Sequence, residues 1–216
     1  MGNFRDENWF EAFCSQSVET IYKRGEIISL QGEVPKTVGL VLSGKANAQS
    51  YSFNGDETWV GEYKEGQFIG LISLLNNEIS GFEIKATSKL VVRVLSHDKM
   101  VELMKGDIAL CEAVATDLAR RLNTSISDIV NVHTLSVKGR ICAELLRLAL
   151  PIGIEPDRHI IRPGPVFVEL ARRLNSTRET VSRTVSELQG KGILAREPGA
   201  LIIENPERLQ DVIEYI

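Results

Sequence analysis

The period of the apolar positions changes along this chain and divides it into segments. Trp9, Phe10 and Phe13 are spaced to pack one face of a short helix, with Asn8 as its cap and Glu11 in its first turn. From Ile21 to about Leu95 the pattern shortens to β-prone runs punctuated by glycine: Glu26 to Leu30, Val38 to Leu42, Ala46 to Phe53, Phe82 to Ala86 and Leu90 to Leu95. Asn54-Gly55, flanked by Tyr51-Ser52-Phe53 and Thr58-Trp59-Val60, predicts a tight hairpin. Many short strands with regular turn residues predict an antiparallel roll.

From Asp98 the period is helical. Met100, Leu103 and Met104 predict one short helix stopped near Gly106, and a longer one follows from about Asp107 to Val132. Its stripe includes Val114, Leu118, Leu122, Ser125 or Ile126, and Ile129, which suits either pairing with a second copy or packing on the chain's own roll. Self-association is the stronger expectation, with Val114, Leu118, Leu122, Ser125 and Ile129 at the interface. Thr134-Leu135-Ser136 interrupts the stripe, and Ser136 is placed to cap a helix from Val137 to Leu150. The expected divisions are therefore a roll over 1–106, a helix and hinge over 107–135, and a third segment over 136–216.

Within that third segment, Phe167, Leu170, Ala171 and Leu174 mark one amphipathic helix, and Val181, Val185 and Leu188 mark a second. Asn175 between them tolerates a left-handed turn, and Thr177 is placed to cap the second helix. Ile193 to Ala195 and Leu201 to Ile203 flank Glu197-Pro198-Gly199 as a hairpin, which makes the segment a winged helix-turn-helix. Asn205-Pro206 opens a last helix that turns Leu209, Val212 and Ile213 inward. The fold expected overall is α+β.

Burying Val181, Val185 and Leu188 turns Arg178, Glu179, Ser182 and Arg183 outward. Arg forks onto guanine, Glu accepts from the cytosine amino group and Ser serves either a base or a phosphate. A solvated helix face would carry similar residues, but the surrounding charge favours DNA. Six basic residues (Arg172, Arg173, Arg178, Arg183, Lys191, Arg196) stand against two acidic ones (Glu179, Glu187), within a chain of net charge −4.

The 216 residues are 43% apolar and 25% charged, ordinary for a globular protein. Cys14, Cys111 and Cys142 are widely separated, which suits a reduced compartment. The opening Met1 to Asn8 has no apolar signal core, and no run reaches the roughly 18 apolar residues of a membrane span, so a soluble cytoplasmic protein is expected. No phosphate-cradling glycine loop, metal-ligand cluster or nucleophile and histidine pair suggests an enzyme.

Several strings resemble those of the CRP/FNR family of bacterial transcription regulators: Tyr22 to Gly32, Leu42-Ser-Gly-Lys45, Gly66-Gln-Phe-Ile-Gly70, Ala119-Arg-Arg-Leu122, Gly139-Arg140 and Ser176-Thr-Arg-Glu-Thr-Val-Ser-Arg183. The resemblance implies a cyclic-nucleotide-binding-like roll, a long dimerisation helix, and a homodimer that binds double-stranded DNA with Arg178, Glu179, Thr180, Ser182 and Arg183. It also implies an inverted repeat with TGA and TCA arms, and RNA polymerase as a partner. The first helix departs from the family pattern, with Pro165-Val166-Phe167 where a Thr-Arg pair is common.

The roll departs further. The family's nucleotide pocket uses a Gly-Glu pair and an Arg-Ser or Arg-Thr pair, but here Gly70 is followed by Leu71, and Ser80-Gly81 follows Ile79. Gly70, Leu71, Ser80, Gly81 and Ser125 mark the expected effector pocket, which lacks the counter-charge of a buried phosphate. Cyclic AMP is therefore not the expected effector, and the cysteines and histidines reveal no cofactor. The competing reading is a small-molecule-binding signalling module whose winged helix docks protein.

Overall fold

The computed structural model describes residues 4–152 and 155–214. The expectations for Met1 to Asn3 and for Gly153 and Ile154 lie outside the described residues. By contact density the chain forms two compact units, Met1–Thr124 and Ser125–Ile216.

The first unit opens with helix α1 (Asn8–Gln16), capped by Glu7 rather than by Asn8. Glu7 makes no side-chain cap bond, because its carboxylate accepts from the indole N–H of Trp9 at 3.0 Å. Strands β1 (Val18–Tyr22), β2 (Ile27–Ser29), β3 (Thr37–Ser43), β4 (Lys45–Tyr51), β5 (Glu57–Lys64) and β6 (Phe68–Ile69) follow. After helix α2 (Leu71–Asn76) come β7 (Glu83–Ala86) and β8 (Leu90–Ser96), then helices α3 (His97–Gly106) and α4 (Ile108–Thr134). The sequence pattern predicts neither β6 nor α2, whose six residues are too few for a helical period to declare itself. The strand region also begins at Val18, ahead of the expected Ile21.

The strands form two antiparallel sheets, β1-β8-β3-β6 and β2-β7-β4-β5. The expected hairpin joins β4 to β5, pairing Tyr51 with Glu57, and Gly55 supplies a backbone angle φ of 83°. Period-two alternation lets one strand feed two cores. Val41 and Val92 lie with Ala46, Ile84 and Ala86 in one cluster, whereas Val38 and Leu40 join Trp9, Phe13, Met100, Leu110 and Val114 in another. The second cluster is where α1, α3 and the first half of α4 meet β3.

Helix α4 begins where Asp107 Oδ1 accepts from the Leu110 amide at 3.0 Å. Leu110 and Val114 are buried and Leu118 packs against the same core. Beyond it the stripe is open: Leu122, Ile126 and Ile129 are 62%, 49% and 58% exposed. The first half of the stripe therefore packs on the chain's own unit, and the second half is uncovered by it. Val114, expected at an intersubunit seam, is instead taken up by the core of its own unit, while Leu118 packs against that core and stays partly exposed.

The second unit continues with helix α5 (Val137–Leu148), capped as expected by Ser136, which accepts from the Gly139 amide at 3.1 Å. It ends two residues before the expected Leu150, which instead opens strand β9 (Leu150–Ile152). Strand β10 (Glu155–Ile161), helices α6 (Phe167–Arg173) and α7 (Arg178–Gly190), strands β11 (Leu194–Glu197) and β12 (Ala200–Ile203), and helix α8 (Pro206–Glu214) complete the unit. Its sheet has the order β11-β12-β10-β9. Ile141, Leu145, Leu170, Val181, Val185, Leu188 and Leu209 share the core between sheet and helices.

Candidate nucleic-acid interface and roll cavity

Helix α6 stops because Asn175 turns left-handed, with φ of 48°, and the Ser176 amide reaches back to the Ala171 carbonyl at 2.9 Å. Thr177 then caps α7: its hydroxyl accepts from the Thr180 amide at 3.2 Å. Val181, Val185 and Leu188 are fully buried, and Thr184 joins them. This fixes the rotation of α7. Arg178, Glu179 and Arg183 emerge exposed and Ser182 half-buried. The Thr180 hydroxyl lies 3.0 Å from that of Thr177, within the cap. Among the described residues, no side-chain hydrogen bond or ion pair engages Arg178, Glu179 or Arg183.

Two members of the expected basic cluster are neutralised within the unit. Arg173 donates to the buried carboxylate of Glu144 at 2.8 Å, beside Arg147 at 2.5 Å. Burial alone pushes Glu144 upward, but the hydrogen bonds from Arg147 and Arg173 outweigh it and hold the carboxyl below its ordinary range. Lys191 shares Glu187 with Lys138, at 2.7 and 2.6 Å, and those two ammonium donors lower the Glu187 carboxyl to about 2. Sequence reasoning missed Glu144 because a lone acid on an amphipathic helix carries no signal of what will bury it. Arg196, on β11, lies with its guanidinium carbon 5.1 Å from the centre of the Phe167 ring.

In the first unit a cavity of about 550 Å³ opens between the two sheets, lined by Tyr22, Ile28, Val34, Lys36, Gly39 and Val92 among others. Of the five expected pocket residues, Gly70 alone belongs to this lining. Leu71 is 2% exposed and packs in the core with Trp9 and Phe13. The Ser80 hydroxyl donates to the Phe82 carbonyl at 2.7 Å, while its main chain pairs with Gly32 and Glu33 and so props the cavity rim from behind. Gly81 is absent from the lining, and Ser125 sits exposed on α4. Gly39 is the signal that could have located the cavity: glycine inside a β-run often marks a place kept open or closely approached. A Cβ there would meet the Val92 side chain at 2.6 Å.

Beside this cavity wall, α4 grips β6. Buried Asp117 accepts from the Phe68 amide at 3.2 Å and from Arg121 Nε at 3.1 Å, and Arg121 Nη2 donates to the Phe68 carbonyl at 3.1 Å. The guanidinium lies 4.0 Å from the centre of the Tyr63 ring. Burial raises the Tyr63 hydroxyl, which keeps it neutral. Cys142 is buried and its thiol is pushed up to about 11, chiefly by burial, so it is not a reactive thiolate. Among the described residues, no group of three or more His, Cys, Asp or Glu could hold a metal ion, and no helix is long and apolar enough to cross a membrane.

Two family models cover the two folded segments. Residues 19–107 match the cyclic nucleotide-binding domain, and residues 139–212 match the Crp-like helix-turn-helix domain. The chain belongs to the CRP/FNR family. It is 25% identical over 196 residues to the cyclic AMP receptor protein of Thermus thermophilus, spanning 89% of this chain and 86% of that one. It is also 23% identical over 202 residues to the cAMP-activated global transcriptional regulator CRP of Salmonella typhimurium, spanning 90% and 92%. Among solved structures the fold is shared with a CooA mutant from Carboxydothermus hydrogenoformans, at TM-score 0.82, 16% identity and coverage of 96% and 93%. The c-di-GMP responsive regulator CLP of Xanthomonas campestris superposes at TM-score 0.76, 20% identity and coverage of 93% and 100%. As a CRP/FNR member the chain is a DNA-binding transcription regulator and not an enzyme.

Proposed function

We propose that this CRP/FNR regulator works as a homodimer and reads an inverted repeat with TGA and TCA arms. The observation that carries the reading is the outward set Arg178, Glu179 and Arg183 on the first turns of α7, unengaged among the described residues and held by a fully buried opposite face. Arg178 and Arg183 supply forks for guanine, Glu179 an acceptor for the cytosine amino group, and Ser182 a short donor or acceptor. Thr180 contributes through its cap, which orients the start of the helix.

Dimerisation draws support from the exposed apolar stripe Leu122, Ile126 and Ile129 on α4, with Ser125 beside it. Three large aliphatic side chains in water at helical spacing favour burial against a like surface. Two recognition helices related by a two-fold axis then suit a palindromic site. RNA polymerase is the proposed partner of the DNA-bound dimer, in keeping with the family's work as regulators.

The roll is proposed to answer to something other than cyclic AMP. Leu71 offers no acceptor to a ribose hydroxyl and faces the core, and among the described lining residues the basic Lys36 stands with the acidic Glu33 and no arginine fork is present for a cyclic phosphate. The lining mixes Ile28, Val34 and Val92 with Glu33, Lys36 and Thr37, which favours a small effector that carries both an apolar body and a polar group. The testing experiment is selection of bound duplexes from a randomised library by the effector-free protein, repeated with added cyclic AMP. Recovery of a TGA and TCA inverted repeat, unchanged by cyclic AMP, is the expected result. Enrichment that depends on cyclic AMP would overturn the sensor reading, and absence of enrichment from a folded dimer under both conditions would overturn DNA reading by the effector-free protein.

A further inference from the structure

The start of α6 lacks cationic side chains. Val166 and Val168 are 56% and 41% exposed there, and Glu169 beside them is exposed and acidic. In a helix-turn-helix the first helix crosses the phosphate backbone, so this flank needs positive charge from elsewhere. The wing stands next to it. The Gly164 amide donates to the Gly199 carbonyl at 2.8 Å, which ties the loop before α6 to the tip of the β11–β12 hairpin. From that hairpin Arg196 reaches over Phe167, the first residue of α6.

The chemistry of this arginine differs from that of its neighbours. Arg196 shares a face of β11 with buried Leu194, so its aliphatic stem leaves from the core edge and its head reaches solvent. Glu197, next in sequence, pairs with Arg162 at 4.0 Å instead. Arg158 and Arg173 are likewise matched to carboxylates, Glu204 and Glu144. Among the described residues Arg196 has no carboxylate partner and rests on an aromatic ring. A ring face holds a guanidinium in place without neutralising it, and leaves its N–H donors free for an external anion.

We infer that Arg196 is a phosphate-contacting residue of the DNA interface, positioned by Phe167, and that the wing supplies the backbone grip which the apolar start of α6 cannot. The inference rests on the DNA reading proposed above. Arg196 carries no base information in this role, and Phe167 acts through it as a positioning residue.

The test uses the full chain and compares its affinity for the selected duplex and for a scrambled duplex across a series of salt concentrations. Arg196→Ala is expected to weaken both to the same degree and to lower the slope of log affinity against log salt by about 0.9 per protomer. Arg196→Lys is expected to restore the slope. Phe167→Leu, which keeps an apolar residue at the core edge, is expected to weaken both duplexes several-fold while leaving the slope intact. An Arg196→Ala slope equal to that of the parent protein would overturn the inference, as would a loss confined to the selected duplex. Failure of the parent protein itself to bind any duplex at low salt would instead sink the DNA reading on which the inference stands.

Discussion

The main-chain amide of Phe68 donates to Oδ2 of Asp117 at 3.2 Å. Asp117 is 3% exposed and also holds Arg121, whose other nitrogen takes the Phe68 carbonyl. Both polar groups of one strand residue are thus satisfied by one helix. Asp117→Ala strands a buried amide and an arginine at once, and breaking such a pair costs about 3 kcal/mol. Both tryptophans, Trp9 and Trp59, lie in the first unit, so urea unfolding followed by their fluorescence reports the loss. A midpoint unchanged in the variant would show that the network contributes no net stability.

Glu144 links α5 to α6 by accepting from Arg147 and Arg173, and its carboxyl is held below the ordinary 4.5. A depressed folded value means stability that is complete above about pH 4.5 and lost as the pH falls through the folded value. Asp128, exposed on α4, works weakly in the opposite sense, because partial desolvation and then the Glu144 charge raise its carboxyl, so its protonation favours the folded state. Glu144→Gln is expected to cost about 2 kcal/mol at neutral pH and to remove the acid-side loss. Circular dichroism melts over a pH series check this, with the tryptophan signal marking the first unit separately. Parallel pH profiles for variant and parent would contradict the assignment.

Arg183 projects from a turn of α7 whose inner face is Val181, Thr184 and Val185. On the proposed reading, Arg183→Ala removes about 1–3 kcal/mol of discrimination at one base pair of each half-site. Library selection with the variant is therefore expected to return a palindrome degenerate at that position and intact elsewhere. An unaltered selected sequence would remove Arg183 from base readout.

Elements with a repeating period were legible, and features that depend on a distant partner were not. The helix-turn-helix could be placed from Val181, Val185 and Leu188, and its turn from Asn175, because each local preference agreed with the tertiary outcome. Gly44 stands in the sequence only within the string Leu42-Ser-Gly-Lys45, yet a Cβ added there would meet the Lys89 carbonyl at 2.2 Å, a contact between residues far apart in the chain. Asp117 lies beside the apolar stripe as one more polar residue of α4, and its role depends on β6, whose two residues give no periodic signal. Leu71 was placed in a pocket by resemblance, whereas the helix it opens turns its side chain into the core. Ser80 failed for a related reason: its hydroxyl is used within its own turn.

The stripe on α4 separates folding from association. Ile129 is 58% exposed, so Ile129→Asp leaves no cavity and is expected to change the stability of the isolated chain by at most about 0.5 kcal/mol. In a two-fold interface the same substitution brings two carboxylates into an apolar seam, where each loses hydration without gaining a partner. Leu122→Asp, at 62% exposure, poses the same problem two turns earlier on the helix. Sedimentation at micromolar concentration is expected to give a dimer for the parent chain and a folded monomer for either variant. DNA affinity should then fall by more than either recognition helix loses alone, because the second half-site is no longer bound at high effective concentration. A variant that stays dimeric would assign the seam to other residues, and a parent chain that sediments as a monomer would leave the stripe without its proposed partner.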